Sequence, residues 1–542
     1  MRPTARSGRL TAVDFHGRSS QDAGVEARRG SHMSWLAALA IAAVAIALRV
    51  WGLGRESLWL DEGFTWRLTR LPLRGLIEAS RADVHPPLHP LLVKLLVRFF
   101  GDCETTLRAV SVAASCAAVY FTWRLARRAF GETAAWGAAA LVALSAFQVR
   151  YAQEARPYAL LGALSLASAD GLLAVLADGR PRARIGWAAA TLTLLYTHAH
   201  GLFVVFAEAL VLAGVARTPA GRGAARRLLV PAAVVFAGFL PWASVLVAQA
   251  RRVQQSFWIA RPVPFEMVRT LHEFAGSGTL LVLLASLVLL AALRRPSAAA
   301  ARPADDSGAT APPNATAARA LVLLLALVPL FAPYVISLAG PAIYLTRAAI
   351  ASSLALAILA AAGWAGVPSR VGRALVALLV VAASVPPLLA LHRDLHKEPW
   401  RDAVAWLERG ARPGDLVLVT APWYRDGVFA YYAKRHDLDA RGVPAHEGAI
   451  TRADIGALAP ALARRPRVWL VRARTDDPGG LLPAALAAGR DTAAHREWLV
   501  SPQGLTRSRS VRALDIICYA APAFSAAPAD PARPVRSAPA GR

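Results

Sequence analysis

The sequence predicts a polytopic α-helical membrane protein followed by a small soluble α/β domain. Of its 542 residues 56% are hydrophobic, and the mean hydropathy is +0.40, too apolar for an ordinary soluble chain. The apolar residues are gathered in blocks of about twenty, the length that crosses a hydrocarbon layer as a helix. After Leu391 the pattern changes: charges return every few residues and the apolar runs shorten. The net charge of +26 is carried almost wholly by arginine. Because those arginines cluster between the apolar blocks, they describe membrane topology and give no nucleic-acid face.

Taken in order, residues 1–33 are basic, polar and turn-rich, and are expected to be a disordered cytoplasmic tail. Ser34 to Leu53 is too long for a signal-peptide core and has no clear cleavage site after it, so it is read as the first span, with the N-terminus inside. Residues 51–104 then form the first outward loop. Its Pro90 to Phe100 stretch is too short to span and is read as a helix on the outer surface. Further spans fall near 105–127, 133–150, 157–177, 185–200, 201–216, 228–249, 276–293, 320–339, 348–366 and 374–391. With the first, that makes about eleven transmembrane helices. Under this parity each inside loop carries arginines: Arg127-Arg128, Arg180/Arg182/Arg184, Arg217/Arg222/Arg226/Arg227, Arg294-Arg295 and Arg370/Arg373. Counting Pro90 to Phe100 as a span would turn most of them outward, against the positive-inside rule.

Residues 296–318 are low-complexity and turn-rich, hence a flexible cytoplasmic linker. Residues 34–391 form the membrane domain, and 392–523 an α/β domain on the outer side. In the latter WRDAVAWLERGARPGD reads as an amphipathic helix, DLVLVTA as a buried strand, YRDGVFAYYAKR as a helix, and RVWLVRAR and DIICYA as strands. No Gly-rich phosphate loop opens any of these helices, so nucleotide binding there is unsupported. Residues 524–542, rich in Ala, Pro and Arg, are expected to be a disordered tail. The three cysteines, Cys103, Cys116 and Cys518, are far apart and frame no metal site.

Chemistry concentrates on the outward face. Asp61-Glu62 puts two carboxylates beside a membrane surface, where unpaired charge is expensive. Asp83-Val84-His85-Pro86-Pro87-Leu88 follows, its prolines stopping a helix. The second outward loop, Arg150 to Tyr158, is a polar run between two apolar spans. Arg108 sits in or near the membrane and has two readings, a functional cation or a side chain that snorkels to the surface. His198 and His200 fall at the outer end of a span. With His85, Asp61 and Glu154 they are candidates for a divalent metal site, or else histidines that hydrogen-bond or touch substrate.

Together the Asp-Glu pair and the His-Pro-Pro-Leu turn resemble the first luminal loop of the GT-C glycosyltransferases, family 39-like, the group of protein O-mannosyltransferases and aminoarabinose transferases. Gln153-Glu154-Ala155-Arg156-Pro157-Tyr158 resembles the corresponding loop of bacterial members. Gly101-Asp102-Cys103-Glu104 with Leu107-Arg108 looks like the family's entry to the second span. Pro341-Ala342-Ile343-Tyr344-Leu345-Thr346-Arg347 resembles its late outward loop, although here threonine precedes the arginine. Lys397-Glu398-Pro399-Trp400-Arg401-Asp402 is similarly family-like. The resemblance implies a GT-C fold in the bacterial inner membrane with its active site on the periplasmic face. It implies transfer of a hexosyl or pentosyl group from a polyprenyl-phosphate-linked donor to a protein, lipid or polysaccharide acceptor. The first carboxylate, Asp61, is then the base and the reaction inverting, with Glu62 and Glu154 orienting base or acceptor. His85, Arg108, Arg156, Tyr158, Tyr344 and Arg347 would bind substrate, the cations neutralising the departing phosphate. The rival reading is a lipid-linked sugar flippase or other transporter. Against it, the spans hold few charges, show no matched pair of Gly/Pro-broken helices, and keep their polar groups on one face.

Overall fold

The computed structural model describes residues 35–255, 259–294, 315–446, 448–473, 477, 479–501 and 511–524. The two tails expected at 1–33 and 524–542 lie outside these residues almost entirely, as does most of the 296–318 linker. The helix after that linker begins at Ala315, three residues before the expected end of the linker at residue 318.

The first helix, α1 (Trp35–Val50), leads into three short helices, α2 (Leu60–Arg70), α3 (Leu73–Ala82) and α4 (Leu88–Phe100). Then come α5 (Glu104–Phe130), α6 (Glu132–Ala143), α7 (Ala146–Ala152), α8 (Tyr158–Ala177), α9 (Pro181–Leu195), α10 (Gly201–Val215) and α11 (Pro219–Arg226). They are followed by α12 (Leu229–Gln255), α13 (Glu266–Ala275), α14 (Gly278–Leu293), α15 (Ala315–Ala339), α16 (Ile350–Ala365) and α17 (Arg370–Arg393). Six of these helices are long and apolar enough to cross a membrane, and up to eight spans result if the bent pairs α6–α7 (58°) and α13–α14 (94°) each count as one. α1 and α10 are shorter apolar helices, and the segment expected to span at 185–200 divides between the fifteen-residue α9, which ends at Leu195, and the turn that follows it. The chain is therefore a mostly helical multi-pass membrane protein. α8 is the centre of the bundle, with 72% of its apolar window buried, whereas α12 and α17 bury only 17%. The apolar side chains those outer helices expose, such as Val230, Phe236, Leu378 and Leu379, suit contact with lipid tails and not with water.

Polar groups mark the two ends. At one end Arg124 and Arg128 of α5 pair with Asp170 at 2.8 and 2.6 Å, and Arg319 caps Ala129. At the other end gather the start of α5, the 153–157 loop and the 196–200 turn. α4, thirteen residues long with Leu95, Phe99 and Phe100 exposed, is too short to span.

After α17 the chain builds a five-stranded mixed sheet in the order β2-β1-β3-β5-β4. Its strands are β1 (Leu416–Thr420), β2 (Asp439–Val443), β3 (Arg467–Arg472), β4 (Asp491–Val500) and β5 (Val511–Ala520), with β2, β1 and β3 parallel and β5 antiparallel to both β3 and β4. The helix α18 (Trp400–Gly410) packs through Trp400, Val404 and Leu407 onto Val417, Val419 and Trp469. The same apolar cluster takes in Leu58, Val93, Leu107 and Ala155 of the membrane part, so the sheet region is seated on the first loop.

Gly63 sets that seating. A Cβ there would lie 2.5 Å from Val428 Cγ1 and 2.7 Å from its backbone nitrogen, so α2 and the 425–429 turn touch only because residue 63 has no side chain. Gly63→Ala is expected to cost about 1–3 kcal/mol by overpacking. A thermal-unfolding scan of the detergent-solubilised protein would show the lowered midpoint, and an unchanged midpoint would mean that the contact yields freely.

Candidate active site

Two adjacent carboxylates on the first turn of α2 point in different directions, and their surroundings are opposite. Glu62 is fully buried. Its Oε1 and Oε2 accept a two-pronged pair of hydrogen bonds from Arg108 Nε and Nη2, both 2.8 Å. Oε1 also accepts from Ala155 N–H at 2.9 Å, and Lys397 Nζ stands 3.2 Å from Oε2. Burial opposes ionisation of Glu62, but the Arg108 and Lys397 charges with these hydrogen bonds outweigh it and hold the carboxyl at about 2. Arg108 completes its set by donating to the carbonyls of Leu53 (2.6 Å), Glu56 and Ser57 (3.1 Å each). All five guanidinium N–H groups are spent and the residue is 1% exposed. Here the structure departs from the expectation that Arg108 meets a phosphate: it has no donor left for one.

Asp61 is partly open, its side chain 23% exposed. Its Oδ2 faces Arg156 Nε at 3.7 Å and Arg347 Nη2 at 3.8 Å. Arg347 Nε donates to Tyr158 Oη at 2.8 Å, which fixes the direction of its guanidinium. Arg156 Nη2 lies 3.4 Å from His85 Nε2, while His85 Nδ1 is 3.0 Å from Asp83 Oδ2. Burial opposes the ionisation of Asp83, yet the hydrogen bond and charge of His85, with Arg156, keep it at about 2. The structure thus brings Asp61, His85, Arg156, Tyr158 and Arg347 together.

The local chemistry explains the convergence. Glu62 and Thr65 lie three residues apart on one face of α2 and clamp Ala155, one accepting from its N–H and the other donating to its carbonyl at 3.0 Å. Gln153 ties the same loop to the end of α1 through the carbonyls of Leu48, Arg49 and Trp51. The Pro86-Pro87 turn is held by Leu88 N–H donating to the carbonyl of Tyr196, and by Gln249 Nε2 on the carbonyls of Ser80 and Asp83. Glu154 is buried beside Arg150 (3.7 Å), and its Oε2 has no hydrogen-bond partner among the described residues. Burial raises its pKa above the ordinary range, against the pull of Lys397 and Arg150.

Lys397 is the residue that sequence reasoning passed over. It reaches in from the segment before α18, touching Glu62 and donating to the Gln153 carbonyl at 2.8 Å, while burial and Arg108 depress its pKa. Its backbone and that of His396 are held by Glu56 Oε1. The family-like Lys-Glu-Pro-Trp-Arg-Asp stretch was the available signal.

Tyr344 departs from its expected place. Its hydroxyl donates to Thr270 at 2.7 Å and its ring packs on Tyr334, so it supports the segment carrying Arg347, through the Thr270–Thr346 hydrogen bond, and does not face Asp61. His198 does lie beside His85, the rings meeting edge to face at 5.2 Å, and His200 meets His198 in turn at 5.0 Å. They do not fit a ligand set: both nitrogens of His85 and Nδ1 of His198 are already engaged, and Arg156 adds a positive charge. The one group of three metal-ligand types that converges among the described residues is His495, Glu497 and Asp515 in the sheet, where Arg472 and Arg512 neutralise it.

No curated protein matches the chain. The model of the family described as dolichyl-phosphate-mannose-protein mannosyltransferase matches residues 84–244, which include His85, Arg108 and the 153–158 loop. Among solved structures, ArnT from Cupriavidus metallidurans in the apo state superimposes with a TM-score of 0.55 at 14% identity, over 90% of this chain and 98% of that one. ArnT bound to undecaprenyl phosphate gives 0.55 at 15% identity, over 91% and 99%. The resemblance to the GT-C glycosyltransferases, family 39-like, is therefore shown, in the sequence of residues 84–244 and in a fold that extends over nine-tenths of the chain.

Proposed function

We propose that this chain is a membrane glycosyltransferase that moves a sugar from a polyprenyl-phosphate donor to an acceptor on the periplasmic face of a bacterial inner membrane. The observation that carries the reading is the split between the two carboxylates: Glu62 spent in a buried ion-pair network, Asp61 open and flanked by two arginines. A lipid-phosphate donor keeps its tail in the bilayer and sets its anionic phosphate at the surface. Arg156 and Arg347 are the cations it would meet, with His85 beside Arg156. A phosphate there shares the two arginines with Asp61 and leaves that carboxylate freer to take the proton of an acceptor hydroxyl or amine. As the sugar–phosphate bond breaks, negative charge grows on the leaving group and the arginines stabilise it. Direct attack inverts the anomeric centre. ArnT bound to undecaprenyl phosphate, a protein of the same fold, supports the donor class.

Arg108 and Lys397 act in this reading as positioning residues for Glu62, and through α2 for Asp61. Arginine-rich loops at the far end of the bundle support the periplasmic assignment, and the count of about eleven spans belongs to the same proposal. The test is transfer of radiolabelled sugar from polyprenyl phosphate in membranes that contain or lack the chain. Chain-dependent labelling of a non-donor product is expected. Movement of labelled donor across the bilayer with no transfer would replace the enzyme with a flippase.

A further inference from the structure

The reacting group leaves a second concavity unused. A cleft of about 770 Å³ opens between α2, the 100–104 turn, α18 and the 431–434 segment, whereas the space between α2 and the His85 turn is about 10 Å³. None of Asp61, Glu62, His85, Arg156 or Arg347 lines it. Its volume falls within the range of about 300–1,000 Å³ of small-molecule sites, and it lies where such sites concentrate, at the junction of two parts of a fold.

Three aromatic rings form one wall. Tyr431 meets Trp66 edge-on at 5.3 Å and Tyr432 at 4.7 Å. Their polar tips are tied back into the protein: Trp66 Nε1 donates to Asp102 Oδ2 (3.1 Å), Tyr431 Oη to the Asp102 carbonyl (2.7 Å), and Tyr432 Oη to Glu104 (3.0 Å). What the rings offer a ligand is therefore rigid apolar surface. The charged lining is balanced, three acids (Asp102, Glu104, Glu408) against three bases (Arg401, Arg409, Lys434), and Glu104 and Arg401 already neutralise each other at 2.6 Å. Such a lining has no excess field to draw in a phosphate or a polyacid. It suits a ligand with many neutral hydroxyl groups and flat C–H faces, which aromatic rings cover and side-chain carboxylates and guanidinium groups hydrogen-bond.

We propose that this cleft binds a neutral oligosaccharide, the non-reacting part of a glycan acceptor. Its acceptor role rests on the glycosyltransferase reading, but its binding does not. α2 links the two places: Trp66 follows Asp61 by five residues, about 7.5 Å along a helix axis and about 140° round it, so a glycan held at Trp66 lies on another face of the same helix and reaches the reacting carboxylate only by extending round α2. Binding energy there is of the remote kind that positions an acceptor.

Occupancy can be read without any transfer reaction. Cys103 lines the cleft and is exposed, Cys116 is partly buried in α5 and Cys518 is buried, so a bulky maleimide reports on Cys103. The full chain in detergent would be alkylated in the presence of mannotetraose, maltotetraose, cellotetraose or arabinotetraose, with undecaprenyl phosphate as the comparison. Saturable protection by at least one tetrasaccharide, and none by the lipid phosphate, is expected. Glu408→Gln keeps the Oε1 that accepts from Lys434 and Arg435 N–H at 2.7 and 2.9 Å. It should nevertheless raise the half-protecting concentration about tenfold by removing a charged acceptor, and Arg409→Gln should act in the same direction. No protection by any of the four, better protection by the lipid phosphate, or midpoints unmoved in both variants would overturn the proposal. Protection that persists while the radiolabel assay shows no transferase would instead leave a saccharide site on a protein with another activity.

Discussion

Asp61→Asn is expected to yield a protein that assembles and binds the lipid donor normally while sugar transfer falls by a factor of about 10² to 10⁴, the usual worth of a general base. The substitution keeps the shape of the side chain and removes its proton acceptor. It also removes nothing essential to the fold, because the Asp61 carboxylate is only near Arg156 and Arg347, at 3.7 and 3.8 Å, and its Oδ atoms accept no hydrogen bond among the described residues. Initial rates at saturating donor and acceptor, with a parallel donor-binding measurement, separate chemistry from binding. Near-normal transfer would move the base to Glu154, a buried carboxylate at this end whose Oε2 has no hydrogen-bond partner among the described residues. Glu62→Gln should affect the chemical step less and assembly more, since Glu62 has no exposed surface from which to meet a substrate.

That difference between neighbours is what the sequence could not show. Asp61-Glu62 announces two carboxylates at a membrane surface, but which one is spent in structure depends on Arg108, Lys397 and the Ala155 N–H, up to 335 residues away in the chain. Periodicity carries the long helices well because each buries apolar surface against its neighbours or lipid, and it carries β1, β3 and β5 because they are short apolar runs buried in the sheet. It fails for the edge strands. β2 reads Asp-Ala-Arg-Gly-Val with only Val443 buried, and β4 carries Asp491, His495, Arg496 and Glu497, so neither has an apolar face to declare it. Lys397 was missed as a site residue for a related reason: its family-like stretch was legible, but a lysine in a polar linker looks solvated until the fold closes over it. Gly63 likewise looks like an ordinary helix glycine until Val428 is seen against it.

The buried pair supplies the other large effect. Arg108→Ala is expected to cost about 3–5 kcal/mol, because it leaves the Glu62 carboxylate buried with one fewer cation and strips the Leu53, Glu56 and Ser57 carbonyls of their donors. The readout is extraction yield and melting midpoint in detergent, both falling sharply, with any loss of transfer in proportion to lost folded protein. Arg108→Lys should be intermediate, since an ammonium keeps the charge but lacks the planar fork that meets both Glu62 oxygens. The pair also has a pH signature. Glu62 is held at about 2, below the ordinary glutamate value of about 4.3, so its stabilisation is complete above that value and is lost as the pH falls toward about 2. The melting midpoint of the parent should drop across that acid window by more than that of Glu62→Gln. A stable, well-extracted Arg108→Ala protein that has lost transfer and shows a raised donor KM would put Arg108 back on the donor phosphate, against a geometry in which every one of its N–H groups is already taken.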